Sequence, residues 1–178
     1  MRSNYTKNTV LAGFFIALGL VLPSLTGHIP EIGRALLPMH IPVLICGYVL
    51  GWPYGLIVGF ITPLLRCVLF GMPPVLSAVA MAFELAAYGF ATGILYKIFR
   101  KNNVFVYVTL IISMICGRIV WGIVSYALYG LGFSGSPFTW QAFFAGAIAN
   151  AIPGIILQIV IVPVIIIALR KGNLIYNE

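Results

Sequence analysis

The sequence predicts an all-α integral membrane protein, with six transmembrane helices in a compact bundle and both termini on the cytoplasmic side. Three observations predict it. Of the 178 residues, 62% are hydrophobic and 7% charged, with a mean hydropathy of +1.11, whereas soluble domains carry about 25% charge. Ten basic and three acidic side chains could not cover the surface that a soluble domain of this length leaves to water. The basic residues also collect in alternate connections between apolar runs.

A bilayer-spanning helix takes about 20 apolar residues. The first span runs from about Thr9 to Leu25. No A-x-A cleavage pattern follows Leu25, so the span reads as a mature helix and not a signal peptide. The second, unusually short, covers Leu37 to Leu50 and closes at Gly51-Trp52-Pro53. The third covers Tyr54 to Phe70, up to the turn Gly71-Met72-Pro73-Pro74, and the fourth Val75 to Ile98, up to Arg100-Lys101-Asn102. The fifth runs from Asn103 to Tyr129, and the sixth from Trp140 to Leu169 after the Gly/Ser loop Gly130 to Thr139. Connections this short force sequential helices to pack antiparallel. With no soluble insertion and no repeat, residues 1–178 form one domain. Arg2, Lys7, Lys97, Arg100, Lys101, Arg170 and Lys171 fall on the side of the termini, and Arg34 on the other. This asymmetry places the termini in the cytoplasm. It also accounts for the net charge of +7 without a nucleic-acid partner.

The chemistry the chain lacks narrows the function. Cys46, Cys67 and Cys116 stand in apolar runs without a CxxC pair or a His at metal spacing, so no disulfide, metal or cofactor is expected. No phosphate loop, H-E-x-x-H or G-x-S-x-G occurs, and two histidines and three acids are a poor catalytic inventory, so an enzyme is not expected.

Three charges remain inside apolar runs: Arg66, Glu84 and Arg118. Each costs a few kcal/mol or more at the bilayer centre unless paired or hydrated. At about 1.5 Å of rise per residue all three lie in the outer half of their spans or near the midplane. Glu84 can neutralise one arginine, which leaves the other guanidinium for an anion, and its planar fork fits a carboxylate. The competing reading is that Glu84 bridges both arginines as structural glue. Polar residues gather at similar depth: His40, Tyr88 one turn after Glu84, Trp121 and Gly122 after Arg118, and Asn150. His40 also reads as a hydrogen-bonded packing residue. Pro42, Pro63 and Pro153 loosen helices near that level, as in transporters whose broken helices line a binding site. Small residues four apart, Gly13 and Ala17, Gly55 and Gly59, Gly89 and Gly93, permit close helix contact.

These features resemble the substrate-binding S components of energy-coupling factor (ECF) transporters, prokaryotic importers of vitamins and other micronutrients. The resemblance covers essentially the whole chain. It rests on the size, the six spans, and the stretches Leu37-Pro38-Met39-His40-Ile41-Pro42-Val43-Leu44, Gly71-Met72-Pro73-Pro74, Ala80-Met81-Ala82-Phe83-Glu84-Leu85-Ala86 and Pro153-Gly154-Ile155-Ile156-Leu157-Gln158. It implies a multi-pass protein of the prokaryotic plasma membrane that binds a vitamin-like small molecule in an outward-facing pocket. Such a protein joins a membrane T component and two cytoplasmic ATPases that supply the energy. An A-x-x-x-A motif on the family's first helix is associated with T-component docking, and here it reads Gly13-Phe14-Phe15-Ile16-Ala17. The expected substrate-binding residues are Arg66, Glu84, Arg118, His40, Tyr88, Trp121 and Asn150, inferred from depth and charge. The spare arginine favours a carboxylate-bearing ligand, pantothenate first among the family's substrates. Pyridoxine, a hydroxymethylpyrimidine or a queuosine precursor stay open, since Trp121, Tyr88 and Tyr126 can stack a flat ring. A small channel or structural membrane subunit is the alternative from a different class.

Overall fold

The computed structural model describes residues 2–26, 37–99, 102–130, 151–172 and 174–175. Among them are six α-helices: α1 (Arg2–Val21), α2 (His40–Leu50), α3 (Trp52–Phe70), α4 (Val75–Ile98), α5 (Asn103–Gly130) and α6 (Ile152–Lys171). A 3-10 turn over Leu22–Thr26 continues α1. Helix α4 has the bounds expected from the sequence, and α3 and α5 differ from expectation by no more than two residues. Helix α6 begins later than expected, with Pro153 in its first turn, where a missing N–H costs nothing. Residues 140–150 lie outside the described set.

Among the described residues, five helices are long and apolar enough to cross a membrane, and α2 is not one of them. The second span, expected from the sequence to be unusually short, is so: α2 has 11 residues and reaches about 16 Å, against a hydrocarbon core of about 30 Å. Both ends have a local cause. Leu37 takes a left-handed φ of 49°, and the His40 N–H donates to the Leu37 carbonyl at 3.1 Å, so the helix starts only at His40. Gly51 adopts φ 87°, open to glycine without steric cost. Its N–H donates to the Gly47 carbonyl, and its own carbonyl accepts from the Gly55 N–H. One residue therefore ends α2 and starts α3.

Ten of the eleven α2 residues are buried, because α1, α3, α4 and α6 all pack around it. Helix α4 also packs on α5, and α5 on α6, so α2, α4, α5 and α6 form a closed ring of helix contacts. The glycine spacings in α3 and α4 meet one another. A Cβ on Gly89 would fall on the Gly55 backbone, one on Gly59 on the Leu85 backbone, and one on Gly93 on the Trp52 backbone. Deeper in the core, the Tyr48 hydroxyl donates to the Val106 carbonyl at 2.8 Å, and its ring meets Tyr96 edge to face at 5.1 Å. This bond ties α2 to α5, and Tyr48→Phe is expected to lower stability by about 1 kcal/mol in thermal unfolding.

Candidate functional site

Helix α4 turns two faces inward. Leu85, Gly89 and Gly93 meet α3, as above, while Glu84 and Tyr88, one turn apart, point into the ring. Glu84 is 1% exposed. Its Oε1 accepts from Arg118 Nη1 at 2.9 Å and from the Tyr88 hydroxyl at 3.2 Å. His40 Nε2 stands 3.6 Å from the same oxygen, close enough for ion pairing and too long for a hydrogen bond. The His40 ring also meets the Tyr88 ring edge to face at 5.3 Å. A Cβ on Gly117 would enter the Tyr88 ring, so the glycine before Arg118 is what allows α5 to lie close enough for the guanidinium to reach Glu84. His40 is the first residue of α2, and that helix end adds partial positive charge beside the carboxylate.

The cluster draws His40, Glu84, Tyr88 and Arg118 from three helices, and it is not saturated. Arg118 Nε and Nη2 are buried with no hydrogen-bond partner among the described residues, as are both ring nitrogens of His40. Nε and Nη2 form one edge of the guanidinium fork, the edge a carboxylate takes bidentately. Nη1, the remaining nitrogen, is held by Glu84. The carboxylate therefore orients the arginine while the Nε and Nη2 edge stays unpartnered among the described residues.

Arg66 is placed elsewhere. Its Nη1 donates to the Leu20 carbonyl at 2.5 Å, one of the last carbonyls of α1 and short of an intrahelical donor. Its guanidinium lies 5.2 Å from the centre of the Phe70 ring. Neither partner belongs to the Glu84 cluster. Trp121 is half-buried one turn beyond Arg118, and Tyr126 is 69% exposed. Asn150, together with Arg34 and Trp140, lies outside the described residues. Gly13 and Ala17 are both exposed on α1, and nothing stands within 4 Å of a Cβ built on Gly13.

Thr109 and Ser113 on α5 and Gln158 on α6, none of them assigned to the site from the sequence, are each 0% exposed. Buried Thr62 and Thr92 bond back to the carbonyls of Val58 and Tyr88, four residues earlier. The Thr109 and Ser113 hydroxyls and both polar atoms of Gln158 have no hydrogen-bond partner among the described residues. The signal that could have found Gln158 is its isolation: it is the one hydrogen-bonding side chain between Ile152 and Leu169.

Compared with known protein families, residues 7–166 match the family model of the ECF transporter, substrate-specific component. Comparisons with curated proteins and with solved structures give no match. The family is one of membrane transport subunits, not catalysts, which bind a small molecule and work with a T component and ATPase module. An apolar helical bundle holding a buried, partly unsatisfied charge cluster, and matched over nearly its whole length, belongs to the substrate-specific component family of ECF transporters.

Proposed function

We propose that this chain captures a carboxylate-bearing micronutrient, with pantothenate the leading candidate, and that Arg118 holds the carboxylate. The observation that carries this reading is the buried Nε and Nη2 edge of Arg118, which has no partner among the described residues while Glu84 occupies Nη1. His40 and Tyr88 meet edge to face and both reach the Glu84 oxygen that holds Nη1, and Trp121 and Asn150 are assigned to the same pocket from their depth in the sequence. Ligand binding at the edge would satisfy the two buried guanidinium nitrogens that Glu84 leaves unpartnered, a source of both affinity and selectivity for a planar, acceptor-rich group such as a carboxylate.

The charge asymmetry of the loops supports cytoplasmic termini in a prokaryotic plasma membrane. In that orientation Glu84, ten residues into α4, lies about 14 Å below the outer surface, and the ligand enters from outside. Gly13 and Ala17 then form a small exposed stripe on α1 against which a T-component helix can lie closely. Substituting both by leucine is expected to cut ATP-driven uptake tenfold or more in cells carrying the transporter partners. Binding by the purified subunit should remain unchanged, since neither residue is near the cluster.

The direct test is mass spectrometry of the molecule that co-purifies with the protein, followed by equilibrium binding of a labelled vitamin panel. Saturable binding of an acid supports the reading. Preference for an uncharged flat ring would move recognition from Arg118 to the aromatic residues, and no binding across the panel would return the chain to a scaffold or channel role.

A further inference from the structure

Gln158 stands out among the interior residues that the charge cluster does not use. It is 0% exposed on α6, and neither Nε2 nor Oε1 has a hydrogen-bond partner among the described residues. Burying a primary amide without partners is costly, and the surrounding run Ile155-Ile156-Leu157-Gln158-Ile159-Val160 shows that aliphatic residues suit this helix. The inward face of α6 reads Gly154, Gln158, Val162 and Ile166, one residue every fourth position. This face closes the ring against α2 and α5.

The level of Gln158 follows from the helix register. Arg170 donates to the Asn103 side chain where α6 ends and α5 begins. Twelve residues along each antiparallel helix, Gln158 comes level with Ile115, between Ser113 and Arg118. That is about 18 Å from the terminal end of the bundle. The ring interior therefore carries an unpartnered guanidinium edge on α5 with an unsatisfied amide at nearly the same depth on α6, and the Ser113 hydroxyl, also without a partner among the described residues, lies close to that level.

We infer that Gln158 is a specificity-determining ligand contact. While Arg118 holds the carboxylate, the Gln158 amide exchanges hydrogen bonds with a neutral group further along the same molecule. The amide both donates and accepts, so its counterpart must do both, which a hydroxyl or secondary amide does and an ether or hydrocarbon chain does not. This rests on the proposed function and narrows the ligand class to hydroxylated or amide-bearing monocarboxylates, to the exclusion of simple fatty acids.

The test compares wild type with Gln158→Leu, which keeps the volume and removes the hydrogen bonds. The probes are pantothenate, its carboxylate-free alcohol panthenol, and hexanoate, which keeps only the carboxylate. Pantothenate affinity is expected to fall about 10- to 100-fold in the variant, with hexanoate unchanged. An unchanged pantothenate affinity, or an equal loss for both acids, overturns the inference. Thermal unfolding of ligand-free protein provides an independent measurement. If the amide serves a ligand, Gln158→Leu melts higher, by about 3 °C or more; a lower melting temperature means a structural partner and also overturns it. Wild type binding panthenol as tightly as pantothenate, with the variant weakened for both, would defeat the carboxylate reading and leave the role of Gln158 standing. If wild type binds none of the three, the inference falls together with the carboxylate reading on which it rests.

Discussion

Arg118→Lys is expected to lower the affinity for an acidic ligand by about 100-fold while leaving the bundle folded. Lysine keeps a positive charge beside Glu84, so the buried carboxylate is not stranded. What it loses is the edge formed by Nε and Nη2, and with it the bidentate geometry. Arg118→Gln is the harsher change, because the Nη1 bond to Glu84 goes as well and an uncompensated buried charge costs about 3–5 kcal/mol. The useful contrast is Arg66→Gln. That substitution removes the bond to the Leu20 carbonyl and is expected to lower stability by about 1.5–3 kcal/mol, with affinity changed less than about threefold in the same assay. Equilibrium dialysis with labelled acid, run beside thermal unfolding, separates these outcomes. If Arg66→Gln costs as much affinity as Arg118→Lys, the two arginines share the ligand, as a count of charges alone would have it.

Gly89→Val is expected to be the most damaging change for folding. The first added atom would fall on the Gly55 carbonyl and Cα. Both partners are helix backbone, so no side chain can swing aside, and α3 and α4 must separate along a seam shared with Gly59 and Gly93. A loss of about 3 kcal/mol or more follows from overpacking on this scale. The control is Gly13→Ala on α1, where a Cβ meets nothing within 4 Å and stability should move by less than about 0.5 kcal/mol. Unfolding in detergent or nanodiscs measures both, and similar losses would mean that the α3–α4 contact is looser than its geometry indicates.

The fold was legible wherever the physics is local. Apolar runs bounded by Gly51, by Gly71 to Pro74 and by Asn102 mark helix ends because those residues break helices whatever surrounds them. The length of α2 was only half legible. Its end at Gly51 was clear, but its start depends on the backbone turn at Leu37, which hydropathy does not register. Charge counting also had a limit. One acid and two bases within apolar runs pointed to a pair with a remainder, and the Glu84–Arg118 pair has that form. The same count could not foresee that Arg66 would find a carbonyl at the end of α1, since every helix terminus offers such acceptors and tertiary packing chooses among them. Gln158, Ser113 and Thr109 were overlooked because an uncharged polar side chain barely changes the hydropathy of its run. Their interest arises only once burial and missing partners are known.

The enclosed position of α2 has a consequence for biogenesis. A segment of 11 residues is too short for the translocon to release into lipid as an independent span, and with ten of those residues covered by protein it has no lipid-facing side to reward such a release. It would enter as one arm of a hairpin with α3, joined through Gly51, and await its remaining neighbours. One of them is α6, which follows α3, α4 and α5 along the chain. Helix α2 thus reaches its final surroundings only after α6 has been synthesised, and nascent chains truncated before Ile152 should remain open to proteases and chaperones along α2.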